Sequence, residues 1–225
     1  MRRLYFLEIA LLLTLTLAGC GGGSTTVVVA PNVLEVLSDP TLDGDITQTL
    51  PNGPIGAPTV ASNTGGAFAG IQVNLAGVPI SESRGFLIFP LGRLPANASI
   101  QFASISIFLN NVSFGTTDTA PIPFLLDSID TVLFPPPIES GDFNAAFRTS
   151  RSVSFFGTDT GTFVEINVTN LLADAQRALL PNFEVRFVFD EARFLSDTRT
   201  TRGRIEMDDD PNSTARAPLL HIEYF

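Results

Sequence analysis

The chain has 225 residues and a mass of 24.1 kDa, with one Cys, one His and no Trp; its 13 basic residues are all Arg and face 23 Asp plus Glu, for a net charge of −10. A single Cys excludes an intrachain disulfide framework and a Cys-rich zinc site, and a lone His leaves no His cluster to hold a transition metal. The acidic balance also excludes the basic footprint from which a nucleic-acid binder releases counterions.

The first segment runs from Met1-Arg2-Arg3 through an apolar stretch to Leu17, and its charged start, short apolar core and small-residue end predict an export signal over 1–19. Glu8 leaves only Ile9 to Leu17 as clean apolar core, too short for a spanning helix. Leu17-Ala18-Gly19-Cys20 resembles the lipobox of bacterial lipoproteins. That resemblance implies cleavage before Cys20, acylation of its thiol and amino group, and a membrane partner reached through the lipid. Two or more acyl chains anchor a protein stably without a spanning helix, since each buried CH₂ contributes about 0.8 kcal/mol. Removing residues 1–19 takes away Arg2, Arg3 and Glu8 and leaves a side-chain charge of −11. The anchor, not electrostatics, must then hold the chain at an anionic surface.

Residues 20–40 read as the lipidated Cys and a flexible tether, because Gly21-Gly22-Gly23-Ser24-Thr25-Thr26 cannot pack a core. From Thr41 to Gly70 the Gly, Pro, Asn and Thr content predicts loops and short strands. Gly85 to Phe89 reads as a buried strand closed by Pro90. In Ser99 to Leu109, Ala103, Ile105, Ile107 and Leu109 alternate with Ser104 and Ser106, the period of a half-buried strand. The stretch from Asn110 to Phe163 is turn-rich, with Phe155-Phe156 as a strand anchor. Val164, Ile166 and Val168 mark another strand, and Asn170 to Leu180 reads as one short helix with Leu172, Ala175 and Leu179 inward. Phe183, Val185, Phe187 and Phe189 alternate with Glu184, Arg186 and Val188, and the chain closes on Leu220, Ile222 and Tyr224 alternating with His221 and Glu223. These elements predict an all-β fold over 41–225, an antiparallel jelly-roll-like β-sandwich with one short helix.

Four ordered segments resemble the DNRLRE family of secreted β-sandwich domains, which overlaps carbohydrate-binding modules for alginate-like polymers. They are Arg84-Gly85-Phe86-Leu87-Ile88-Phe89-Pro90-Leu91 with Leu94-Pro95, Ile100-x-x-Ala103-x-Ile105-x-Ile107, Val164-x-Ile166-x-Val168-Thr169 with Leu172, and Pro218-x-Leu220-x-Ile222-x-Tyr224. Pro90 and Asn167 stand where that family is expected to carry Asp, and its tryptophan-bearing middle segment has no counterpart. The resemblance implies a jelly-roll-like fold and a binding or structural role more than catalysis.

Two clusters carry candidate chemistry. Glu206, Asp208, Asp209, Asp210 and Asn212 offer closely spaced oxygens to Ca²⁺, against the plainer reading of a solvated acidic turn. Arg199, Arg202 and Arg204 offer guanidinium forks to the carboxylates of a uronate polymer, against the plainer reading of pairing with Glu191, Asp197 and Glu206. The phenylalanines read as core, and His221 as a surface or edge histidine. The sequence thus predicts a non-catalytic lipoprotein of the bacterial cell envelope, at the outer membrane or cell surface, with an adhesive, binding or structural role. The alternative is a carbohydrate-binding module for anionic polysaccharide, with an envelope protein as another partner class and a glycan hydrolase or lyase third.

Overall fold

Alternation of apolar and polar side chains sets the architecture. A computed structural model describes residues 30–50, 56–62, 64–115, 120–210 and 215–225, and Pro31–Phe225 forms one compact unit. Its strands are β1 (Asn32–Leu37), β2 (Gly44–Thr49), β3 (Thr59–Ser62), β4 (Gly65–Val73), β5 (Pro79–Pro90), β6 (Ile100–Phe114), β7 (Ile122–Ile129), β8 (Phe147–Phe155), β9 (Phe163–Asn167), β10 (Asn182–Phe189), β11 (Gly203–Asp209) and β12 (Leu219–Tyr224). The helices are α1 (Thr169–Arg177) and α2 (Glu191–Ser196). All pairings are antiparallel, and the path β1-β12-β6-β11-β4-β5-β10-β7-β8 makes one curled sheet, with β2, β3 and β9 joined at its side. The result is the all-β, sandwich-like fold that the alternation implied.

Two long strands make the sheet curl. Along one edge of β6, Ala103, Leu109 and Val112 bond to residues 160–169 on the β9 side. β12 and β11 therefore lie end to end along its other edge, β12 against Ile100 to Ser106 and β11 against Leu109 to Phe114. β5 divides in the same way: β2 holds one edge, while β4 takes the first half of the other and β10 the second. The two ends of the sheet fold over a common core of Leu34, Leu87, Phe89, Ile105, Ile107, Phe124, Phe183, Phe187, Ile205 and Leu220. A second, smaller core of Ile46, Phe86, Ile88, Ile138 and Phe143 lies on the opposite face of β5, under the segment that carries the 3-10 turn Ser140–Asn144.

The structure differs from the sequence reading at several points. β1 lies inside the segment read as tether: Leu34 and Val36 enter the main core, so the compact unit takes in residues upstream of Thr41. β7 and β8 occupy the stretch read as turn-rich, and β11 occupies the acidic run read as a turn. α1 ends at Arg177; Leu172 and Ala175 are buried as expected with Leu171, but Leu179 stands outside the helix at φ +56° and is exposed. The segments that carry the DNRLRE-like pattern are β5, β6, β9 with α1, and β12.

Candidate functional site

Antiparallel register fixes which side chains share a face, because directly paired residues point the same way. On the outer face of the sheet formed by β1, β12, the first half of β6 and β9, the paired rows are Val33, Glu223 and Phe102; then Glu35, His221, Ser104 and Asn167; then Leu37, Leu219, Ser106 and Glu165; then Phe108 and Phe163. Phe108 and Phe163 meet edge to face with ring centroids 5.1 Å apart, and the Arg216 guanidinium lies 4.3 Å over the Phe108 ring. Phe163 and the Arg216 side chain are each about half exposed, at 53% and 52%. At the other end of this face Phe102 packs beside His221, centroids 6.3 Å apart, and His221 stands between Glu35 at 3.9 Å and Glu223 at 3.5 Å. The face is therefore a shallow platform with aromatic groups at both ends and hydroxyl, amide and carboxylate groups between. Phe102, Phe108 and Phe163 thus correct the reading of the phenylalanines as core. The signal was parity: Phe108 lies between Ile107 and Leu109, which turn inward.

The predicted arginine set does not converge. Arg199 is bound by Asp197 at 2.9 and 3.2 Å, and Arg202 bonds Glu191 at 2.8 Å while stacking on Phe194 at 4.4 Å. Arg204 projects from the outer face of β11 over Phe68 at 4.4 Å. Arg202 lines a cleft of about 310 Å³ where β4 and β10 part from β5, but there Arg84 is paired with Glu82 as Arg202 is with Glu191, so the cleft neutralises itself.

Among the described residues the predicted calcium set does not converge either. Ile205, Met207 and Asp209 share one face of β11, while Arg204, Glu206 and Asp208 share the other, so strand alternation separates the carboxylates. Asp208 faces Arg216 at 3.7 Å. Among the described residues no group of three or more His, Cys, Asp or Glu is placed to hold a metal. Asn212 and Cys20 lie outside the described residues.

Asp209 instead points inward and meets Asp43, which precedes β2. Both are almost wholly buried, at 2% and 0% exposure. Asp43 substitutes for a strand partner at the free edge of β5: its Oδ1 accepts from the Ile88 amide at 2.6 Å, and the Ile88 carbonyl accepts from the Asp39 amide. Burial, and then the Asp209 charge, push the Asp43 carboxyl well above the ordinary carboxylate range, against the Ser38 hydroxyl and the Ile88 amide. Burial raises Asp209 to about 6, although its contact with Asp43 works the other way. Asp45, two residues along from Asp43, is raised by burial against bonds from the Phe68 amide and the Thr47 hydroxyl.

A third polar group lies on the outer face of β10. Arg186 donates to Asp127 at 2.8 Å and to the carbonyls of Asp142, Phe143 and Ala145 at 2.9 to 3.2 Å, while Arg84 stacks on Phe143 and donates to its carbonyl. These guanidinium groups tie the Ser140–Asn144 turn to the sheet. Nothing in the sequence pattern marked Asp43, Asp209 and Ser38, or Arg186 and Asp127, as partners, because each contact joins segments distant along the chain. No protein-family model matches the chain, and no curated protein matches it.

Proposed function

We propose that this protein is a lipid-anchored component of the bacterial cell envelope, held through Cys20, that displays its sandwich as a non-catalytic binding module with the platform of Phe102, Phe108, Phe163 and Arg216 as the contact face. The observation that carries this reading is the exposed Phe163–Phe108–Arg216 stack. Aromatic faces and stacked guanidinium groups on a shallow surface suit the flat faces of sugar rings, and Phe163 keeps half its surface uncovered at the cost of exposed apolar area. The lipobox-like Leu17-Ala18-Gly19-Cys20 supports the anchor. The ligand class is an extended polysaccharide. The carboxylates of Glu35, Glu165 and Glu223 on the same face favour a neutral chain over a uronate one.

The test is retention of the purified full-length chain on immobilised neutral and uronate polysaccharides, with Phe163→Ala and Arg216→Ala beside the parent. Retention on a neutral polymer, weakened about tenfold by either substitution, is expected, since losing an aromatic or cation–π contact removes roughly 1 kcal/mol or more. Uronate-selective retention that is insensitive to Phe163→Ala would move the site to the arginines. No retention on any polymer would leave a structural or protein-binding role. For the anchor, incorporation of labelled fatty acid that Cys20→Ser abolishes is expected; labelling that persists in that variant overturns it.

A further inference from the structure

β11 and β12 follow one another along the same edge of β6, so the chain leaves the sheet after Asp209 and returns at Leu219. β1 ends at the same level: Leu37 pairs with Leu219, and the Ser38 amide bonds to the Pro218 carbonyl. Ser38, Asp43 and Asp209 meet at this break. All three are at least nine-tenths buried, and Ser38 Oγ, Asp43 Oδ2 and Asp209 Oδ1 are buried with no hydrogen-bond partner of proper geometry, although the Ser38 hydroxyl and the Asp209 carboxyl both stand against Asp43. A hydroxyl and two carboxyls held against one another in one buried place, each with an oxygen that lacks a well-formed hydrogen bond, are costly unless something positive lies among them. Asp39, Asp208 and Asp210 add negative charge around Asp209, and Arg216 stands 3.7 Å from Asp208.

We propose that this break in the sheet is a site for one divalent cation of the calcium type, held by the Asp43 and Asp209 carboxylates with the Ser38 hydroxyl, and completed by main-chain carbonyls or water. A set made only of oxygen donors selects a hard cation. Calcium tolerates the irregular shell that a strand break offers, whereas magnesium holds its water and demands an octahedron. The site shares Asp209 with the set suggested by the acidic run and is otherwise different, because its other ligands come from the segment between β1 and β2. A divalent ion would answer both carboxylates at once and join that segment to the end of β11, where a single shared proton would answer one charge of the pair. The proposal is independent of the sugar platform.

The experiment is thermal melting of the purified full-length chain at neutral pH in chelator, in millimolar Ca²⁺ and in equal Mg²⁺, with equilibrium dialysis against labelled calcium. With calcium about a hundredfold above its dissociation constant, the melting temperature is expected to rise by roughly 5–10 °C. Mg²⁺ should give less, and one ion should bind per chain. Asp209→Asn should lose the rise, and Ser38→Ala, which removes one oxygen and keeps both charges, should shrink it. If Asp209→Asn fails to fold, the calcium response of the parent and of Ser38→Ala still decides. The proposal is overturned if calcium neither binds nor shifts the parent, or if both variants keep the full shift. An Asp209→Asn protein that melts higher than a calcium-insensitive parent would identify the pair as proton-sharing instead.

Discussion

At the scale of single residues, the outer face of β10 presents the sharpest test. Glu184 is 1% exposed and faces Ile88 and Ile129 across the sheet, with no hydrogen bond to its carboxyl among the described residues. Burial first, and then the charge of Asp142, raise it to about 8, against the attraction of Arg186. A carboxyl raised on folding binds more protons in the native state than in the unfolded one, so its effect on stability is unfavourable as pH rises. The loss begins above the ordinary value of 4.5 and is complete near pH 8. Glu184→Gln, which supplies a neutral side chain of the same shape, should melt above the parent at pH 8 and nearly with it at pH 5, as two pH series of thermal melts would show. A parent whose stability is flat between pH 5 and 8 would contradict it. The neighbouring Arg186 acts in the opposite way. Arg186→Met would leave the Asp127 carboxyl buried without its partner, and should cost about 3–5 kcal/mol in denaturant unfolding.

At the scale of elements, legibility followed the contrast between the two faces of a strand. β6 and β10 were readable because inward Ile, Leu, Val and Phe alternate with Ser, Glu and Arg, whereas β8, an edge strand reading Phe-Arg-Thr-Ser-Arg-Ser-Val-Ser-Phe, buries almost nothing until Phe155. β11 was hidden by its acids: Ile205 and Met207 keep the period, but Asp208 and Asp209 resemble a turn, and Asp209 is tolerable inside only because a second element brings Asp43 to it. β1 was lost beside a glycine tract, and its outward Val33 and Leu37 blur the alternation that Leu34 and Val36 carry. The aromatic platform was legible only in part, since parity turns Phe108 outward but Arg216 reaches it from a segment far along the chain. Gly70 of β4 has φ +117°, and a Cβ there would lie 2.3 Å from the Gly203 carbonyl oxygen of β11. Gly70→Ala should therefore lose roughly 2–4 kcal/mol in denaturant unfolding, because both the dihedral and the carbonyl resist it. An Ala variant as stable as the parent would show that β4 and β11 can part at no cost.

At the scale of the whole molecule, the main core runs through both ends of the curled sheet, so removing a strand at one end strips packing from the other. Leu220 and Ile222 of the last strand pack with Leu34 and Val36 of the first, and β12 bridges β1 to β6. Deleting residues 219–225 should abolish cooperative melting and near-ultraviolet structure instead of trimming a few degrees from the transition; a truncated chain that still melts sharply would mean the core closes without β12. The pairing of first and last strands also decides how this protein bears load. A pull on the residues before Asn32 reaches the body along β1, whose six pairs with β12 would be sheared together if the opposing force runs along the strand, and unzipped from Tyr224 if it runs across. The platform belongs to the same sheet, with Phe102 and Phe108 two strands from β1 and Phe163 three, on β9. Tension between the residues before Asn32 and a partner held there would pass through β1, β12, β6 and β9, with the layer of β5, β10 and β7 off the direct path.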